Sequence, residues 1–386
     1  MSAATEGSVV ARPGISLTRA LLLAHRWAGL VLGLVLVLIG ITGSILSFQR
    51  EIDAALNPAL YRASGPADPA LGFAEILRRA EAATGRPAGS IRPPDAVWPV
   101  WIVSPPRMRG GPPAASAYLD PATGALLGER DARGGFISTV RQLHETLLLR
   151  DWGGHEAVGW LGVLLLVFSL SGIWLWWPKQ GSLGRALVTI RRRPSVVLNL
   201  DLHRVIGIWM AVVLAVVAVS GVALIFPAWF RPMLGIAEPV QAAPAPPRRD
   251  PMVLDADAAA AAALAHLPGQ VVTGVLLPSR QRQAWQVTTR PADASTEVRA
   301  RSFITIDPWS GTVLEERGPR TRAAGEEALA MQRWLHGGAL LGWGGRILVF
   351  LSGLAMPVLF VTGLAAWLLR RRNRRRLKTR SQGMPA

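Results

Sequence analysis

The chain holds 6 histidines and no cysteine, so disulfides, thiolate ligands, iron–sulfur clusters and cysteine nucleophiles are excluded. Metal or redox chemistry therefore falls to imidazole. Four of the six histidines recur as matched pairs: His25-Arg26-Trp27-Ala28-Gly29 answers His203-Arg204-Val205-Ile206-Gly207, and Leu143-His144 answers Leu335-His336. The spacing repeats as well, with 18 residues from His25 to the glycine of Thr42-Gly43 and 18 from His203 to the glycine of Ser220-Gly221. Trp152-Gly153-Gly154 and Ser171-Gly172 follow His144, and Trp343-Gly344-Gly345 and Thr362-Gly363 follow His336, with one residue of slippage.

Two neutral imidazoles facing each other across a helical bundle supply both axial ligands of a haem iron. Gly29 and Gly207 stand one helical turn after their histidines, where a flat macrocycle needs uncluttered backbone, and Gly337 and Gly338 follow His336 directly. Arg26 and Arg204 stand beside the first pair as guanidinium partners for propionate carboxylates. The competing reading is packing: a membrane histidine can hydrogen-bond another helix, and glycine at helical spacing lets helices approach. Fourfold repetition in register favours a site, since ionisable groups inside a membrane are costly and tend to mark function. His155 aligns with Arg346 and stands as a substitute or extra ligand, whereas His266 lies on an alanine-rich helix and is expected to face solvent.

Other chemistries fit less well. Zinc takes three or four converging ligands, which two separated pairs do not offer. Copper transport favours cysteine and methionine, and the 8 methionines form no cluster. No serine–histidine–acid set, phosphate-cradling glycine loop or paired intramembrane carboxylates occur, and no nucleotide-binding domain is present to supply electrons.

The elements that must position these residues are membrane spans. Four nearly charge-free stretches, Leu30–Phe48, Val158–Trp177, Val205–Phe226 and Ile347–Leu369, are each near the ~20 residues that cross a bilayer. Residues 1–24 lack a signal-peptide pattern and read as a retained arm. The net charge is +17, from 42 basic and 25 acidic residues, but the long loops are nearly neutral. Gln49–Glu156 holds 12 basic and 12 acidic residues, and Pro227–Gly344 holds 12 and 11. The surplus sits in the arm, in Lys179, Arg185, Arg191, Arg192 and Arg193, and in the acid-free tail Arg370–Arg380. This is positive-inside asymmetry, not a nucleic-acid surface. It places both termini and the middle loop in the cytoplasm and the long loops in the periplasm.

Each long loop carries a helix (71–83; 254–267), alternating segments such as Val97–Val103 and Ala284–Thr288, and an Asp-Pro turn, Asp120-Pro121-Ala122-Thr123-Gly124 or Asp307-Pro308-Trp309-Ser310-Gly311. The expected architecture is an α-helical membrane protein. Its four-helix bundle is built from two parallel helix–lobe–helix repeats bearing two small α+β periplasmic lobes. The segments are an arm (1–24), span one (25–48), lobe one (49–143), span two with its approach (144–177), a basic loop (178–202), span three (203–226), lobe two (227–335), span four with its approach (336–369) and a basic tail (370–386). Symmetry about the membrane normal brings His25 to His203 at the inner face and His144 to His336 at the outer face.

The His-Arg-x-x-Gly openings, the Leu-His before spans two and four, and the Asp-Pro-x-x-Gly hairpins resemble the PepSY-associated transmembrane family over residues 18–372. That family includes iron-regulated inner-membrane proteins and integral-membrane ferric-siderophore reductases with b-type haems between helix histidines. The resemblance implies His25, His203, His144 and His336 as ligands of two haems b, with His144 and His155 both open as the outer ligand of span two. It also implies electron flow from a cytoplasmic reductase or membrane quinol to a periplasmic ferric siderophore. Trp309 and the stretch Arg299–Arg322 are candidates for substrate choice. Two other readings remain: a non-enzymatic lobe that binds peptides or regulates a protease, and a haem electron-transfer subunit with a different acceptor.

Overall fold

The computed structural model describes residues 16–106, 115–131, 133–178, 181–192, 196–237, 251–279, 282–292 and 301–382. The arm up to residue 15, most of the stretches rich in proline, glycine and alanine at 105–113 and 239–251, Lys179, Arg193 and Arg299 lie outside the described residues. In chain order the main elements are α1 (Leu17–Ser47), α2 (Gln49–Leu56), α3 (Phe73–Thr84), β1 (Ser90–Arg92), β2 (Trp101–Ser104), β3 (Ala115–Leu119), β4 (Leu126–Asp131), α4 (Phe136–Thr146), α5 (Gly154–Trp176), α6 (Val196–Ile225), α7 (Ala256–His266), β5 (Gln270–Leu276), β6 (Trp285–Pro291), β7 (Ser302–Ile306), β8 (Val313–Arg317), α8 (Ala324–His336) and α9 (Gly342–Gln382).

Among the described residues four helical stretches are long and apolar enough to cross a bilayer: α1, α5, α6 and Ala339–Arg376, with mean hydropathy between 2.1 and 2.7. Their outward side chains fit lipid, not water, since Val31 is 71% exposed, Leu34 64% and Val212 64%. The protein is a multi-pass membrane protein. The sequence expectation opens spans one and three at their histidines, but α1 begins at Leu17 and α6 at Val196. Neither 17–24 nor 196–202 contains glycine or proline, so nothing stops the helix from extending outward by about two turns.

The chain forms two compact units. The first comprises Met1–Gly40, Leu164–Ala215 and Leu354–Ala386. Exposed Trp27, Trp174, Trp177 and Trp209 belong to it, residues suited to a headgroup boundary. Its basic connection is tied down by Arg191, whose backbone N–H and guanidinium donate to the Asp201 carboxylate at 2.9–3.0 Å.

The second unit, Ile41–Val163 and Val216–Gly353, contains the sheet. Its strands are antiparallel and run in the order β4-β3-β2-β1-β5-β6-β7-β8. The two loops therefore share one sheet, joined where Ser90 pairs with Leu276 and Ile91 with Val275. Pairing satisfies backbone groups that separate lobes would leave at two open edges. Alternation along the strands sends Ile91, Trp101, Val103, Val275, Trp285, Val287, Ile304 and Ile306 into one core with Ile76 of α3 and Ala259 and Ala263 of α7. Asp257 of α7 accepts from the Phe73 and Ala74 N–H groups at 2.7 and 3.0 Å and so caps α3 across the two loops.

The Asp-Pro turns form as their residues dictate. Asp120 Oδ1 accepts from the N–H groups of Ala122 and Thr123, Asp307 Oδ1 from those of Trp309 and Ser310, and Gly124 and Gly311 take φ of 66° and 75°. Opposite the core, a buried polar cluster ties α2 to the sheet. The Arg130 guanidinium donates two bonds of 2.7 Å to the Asp53 carboxylate and one of 3.0 Å to the Tyr118 hydroxyl, while the Tyr61 hydroxyl donates to Asp53.

Candidate metal centre

Within the first unit, His25 of α1 faces His203 of α6 with ring centres 6.3 Å apart and planes at 85°. Within the second, His144 of α4 faces His336 of α8 at 6.1 Å and 54°. A metal–imidazole bond of about 2 Å puts the ring centre about 3 Å from the ion, so imidazoles on opposite sides of one ion stand about 6 Å apart. Both pairs match that span. Among the described residues no group of three or more His, Cys, Asp and Glu side chains gathers for a metal. Two imidazoles at this spacing fit a haem iron, whose macrocycle fills its other positions, and do not fit tetrahedral zinc, which needs more ligands.

Every one of the four rings docks through Nδ1 onto the hydroxyl of a Ser/Thr-Gly pair. His25 Nδ1 meets Ser171 Oγ at 2.8 Å, His203 meets Thr362 Oγ1 at 3.3 Å, His144 meets Thr42 Oγ1 at 3.0 Å and His336 meets Ser220 Oγ at 3.3 Å. His203 and His336 also reach the carbonyls of Leu359 and Val217, both at 2.9 Å. A carbonyl only accepts, so Nδ1 carries the proton in those two rings and Nε2 keeps its lone pair. With Nε2 of His25 given to a metal, its Nδ1 carries the proton and Ser171 Oγ accepts it, leaving the Ser171 hydrogen for the Phe168 carbonyl at 3.2 Å. The sequence reading noted these small-residue pairs as landmarks of the repeat but did not connect them to the histidines.

The glycines of the pairs have a steric role. A Cβ on Gly43 would lie 3.0 Å from His144 Cε1, and one on Gly221 would lie 2.9 Å from His336 Cε1. Gly172 and Gly363 stand against His25 and His203 at 3.8 and 3.4 Å. Gly29 and Gly207 are less demanding: a Cβ there would make ordinary contact with Phe168 at 3.9 Å and Leu359 at 3.6 Å. Gly338 belongs to the turn between α8 and α9, with φ of 75° and no room for a side chain against the Gly345 carbonyl. The equivalent turn after His144 uses Leu147 and Leu148 at φ of 52° and 61°.

The two histidines near span two lie on either side of that turn. His144 faces His336, whereas His155 is exposed beyond the turn, with Nδ1 3.3 Å from the Glu145 carbonyl oxygen. His266 pairs on the surface with Glu316 at 2.9 Å. Burial, opposed by the Val217 carbonyl and reinforced by the charge of Arg333, holds the His336 pKa below its ordinary value, so the ring is neutral as a ligand must be.

Arg26 has a buried Nε with no hydrogen-bond partner among the described residues, and its guanidinium lies 5.3 Å from the Trp27 ring centre. An orphaned donor beside His25 fits a carboxylate arm. Arg204 is exposed and donates to the Trp176 carbonyl at 3.4 Å. Arg141 and Arg333 precede His144 and His336 by three residues each, a second repeated arginine that the sequence reading passed over. Of the arginines considered for substrate choice, Arg317 and Arg322 pair with Glu315 and Glu327, and Arg301 lies over Trp334.

A cleft of about 120 Å³, lined by Asp53, Trp98, Tyr118, Arg130, Ser138 and Arg141, opens beside α4. It is smaller than the ~300–1,000 Å³ of ordinary small-molecule sites, too small to engulf a whole chelate. Comparison with curated proteins finds no match. The sheet, the paired histidines and most of each apolar helix lie within residues 22–370, which match the model of the PepSY-associated TM region, and the chain belongs to that family.

Proposed function

We propose that the protein is a two-haem electron-transfer protein of the bacterial inner membrane that reduces ferric siderophores on the periplasmic side. The observation that carries this reading is the pair of opposed imidazole couples at 6.3 and 6.1 Å, each ring docked through Nδ1. His25 and His203 would hold one b-type haem and His144 and His336 the other, and the bound group supplies reversible one-electron exchange at iron.

The chain's own residues do the rest. The hydroxyls at Ser171, Thr362, Thr42 and Ser220 fix ring orientation, Arg26 offers its orphaned Nε to a carboxylate, and the apolar helices exclude water from both pairs. The basic tail and middle loop support cytoplasmic termini, with electrons entering from a cytoplasmic reductase or membrane quinol. A ferric chelate docking against the periplasmic sheet accepts one electron per iron. The ferrous ion is held less tightly by hard oxygen donors and is released. Outer-sphere transfer of this kind needs no catalytic acid or base.

The test is the visible spectrum of detergent-purified protein, oxidised and reduced, with haem quantified per chain and a ferric hydroxamate added to the reduced sample. Two haems with bis-histidine bands that reoxidise on addition support the reading. Haem that stays reduced points to another acceptor, and colourless protein from haem-replete cells overturns the redox reading.

A further inference from the structure

The four docked rings are not held equally. Nδ1 of His203 has the Leu359 carbonyl at 2.9 Å in addition to Thr362 at 3.3 Å, and His336 has the Val217 carbonyl at 2.9 Å in addition to Ser220 at 3.3 Å. His25 instead has Ser171 Oγ at 2.8 Å as its hydrogen-bond partner among the described residues. Thr362 and Ser220 share their load with a carbonyl that no side-chain change removes; Ser171 does not. Hydrogen-bond direction follows from where each hydroxyl spends its own hydrogen. Thr362 donates to the Val358 carbonyl at 2.7 Å, Ser220 to that of Val216 at 2.7 Å and Ser171 to that of Phe168 at 3.2 Å, so these three oxygens receive the Nδ1 proton.

We propose that Ser171, Thr362, Thr42 and Ser220 are the positioning residues of the two centres, holding each histidine in the tautomer that presents Nε2, and that Ser171 sets the electron affinity of the inner centre. This rests on the reading of the pairs as haem ligands. An imidazole whose N–H is accepted by a strong partner is a more basic ligand, and a more basic ligand favours the ferric over the ferrous state. Removing the Ser171 oxygen leaves the Nδ1 proton of His25 without its acceptor, so the inner iron becomes easier to reduce. Removing the Thr362 oxygen leaves the Leu359 carbonyl in place and changes little.

The experiment is a spectroelectrochemical titration of the full-length protein in detergent, comparing wild type with Ser171→Ala, Ser171→Thr and Thr362→Val. Loss of outer-shell partners commonly costs 10–100-fold at a metal site. A tenfold loss of ferric preference at Ser171→Ala raises one of two midpoints by about 59 mV for this one-electron couple. Thr362→Val is expected to shift the same midpoint by less, and Ser171→Thr to restore the wild-type value. An unchanged midpoint in Ser171→Ala with haem retained, or an equal or larger shift in Thr362→Val, overturns the proposal. If Ser171→Ala loses the inner haem, Ser171→Thr decides: retention at the wild-type midpoint supports the hydroxyl role, and loss there too means the site requires the size of serine and overturns it. Wild-type protein that binds no haem would instead sink the underlying reading, and this inference with it.

Discussion

His144 and His336 stand with ring centres 6.1 Å apart, each ring over a glycine of a different long helix, His144 against Gly43 and His336 against Gly221. Ring and glycine are fitted to each other closely enough that the His144–His336 pair is open to genetic test.

Replacing either member of one pair should remove one haem and leave the other. His144→Ala or His336→Ala is expected to halve haem per chain, as is His25→Ala or His203→Ala, whereas His155→Ala should leave it unchanged. Haem quantification on purified variants checks this, and full loading of His144→Ala would put the outer ligand elsewhere.

Gly43→Ala and Gly221→Ala place a methyl within 3.0 and 2.9 Å of a histidine ring. The ring must turn or withdraw, with an expected 10–100-fold loss of haem affinity at the proposed His144–His336 site. Gly29→Ala, with 3.9 Å to the nearest side-chain atom, should bind as wild type. Haem titration of the apo-protein separates the two classes.

Arg130→Ala strands the buried Asp53 carboxylate, which is 5% exposed. Breaking a buried pair on one side costs about 3–5 kcal/mol. Urea unfolding followed through tryptophan fluorescence should show that loss, and Arg130→Met combined with Asp53→Asn should recover part of it.

Acid should loosen the sheet before neutral or alkaline pH does. Burial works to raise the pKa of Asp120, but the N–H and hydroxyl of Ser64 and the N–H groups of Thr123 and Ala122 hold it below the usual carboxylate range. Burial likewise acts on Asp95, outweighed by the Trp98 N–H and Arg50, and Glu75 is pulled to about 2 by Arg78 and Arg79. A carboxylate with a lowered folded pKa stabilises fully above its unfolded value and loses that contribution as pH falls through the folded one. Buried His336 adds a loss of the same sign, because it stays neutral while an unfolded histidine protonates near 6.5; stability should therefore hold above about pH 7, begin to fall below it, and fall further from about pH 5 toward about pH 2. Fluorescence of buried Trp101 and Trp285 against pH measures it, and stability that rises as pH falls from 7 to 5 would contradict it.

The sequence displayed what is local or repeated. Apolar runs of the right length, the Asp-Pro turns and the four matched histidines are visible as periods and motifs, and the structure builds helices, hairpins and facing rings from them. What it hid depends on contacts across long separations. Ser171 lies 146 residues from His25, and no helical period links the two. The β1–β5 pairing is hidden for the same reason, because alternation sets which face a strand buries but not which strand it meets. His155 stood in register with Arg346, yet the left-handed turn at Leu147 and Leu148 carries it away from the pair, while Arg346 caps the end of α1 through the Ser47 carbonyl at 2.9 Å and binds Glu51 at 2.7 Å.

The hydroxyl docks divide the molecule in an unexpected way. Ser171 and Thr42 receive the histidines of residues 16–178, and Thr362 and Ser220 receive those of residues 196–382. Each half of the chain thus supplies the hydroxyls that dock its own two rings. Each facing couple, however, takes one ring from either half, as does the β1–β5 seam with its strands. Neither half possesses a centre. Both centres and the middle of the sheet are properties of the join, so a change that parts the halves would cost the protein both pairs at once.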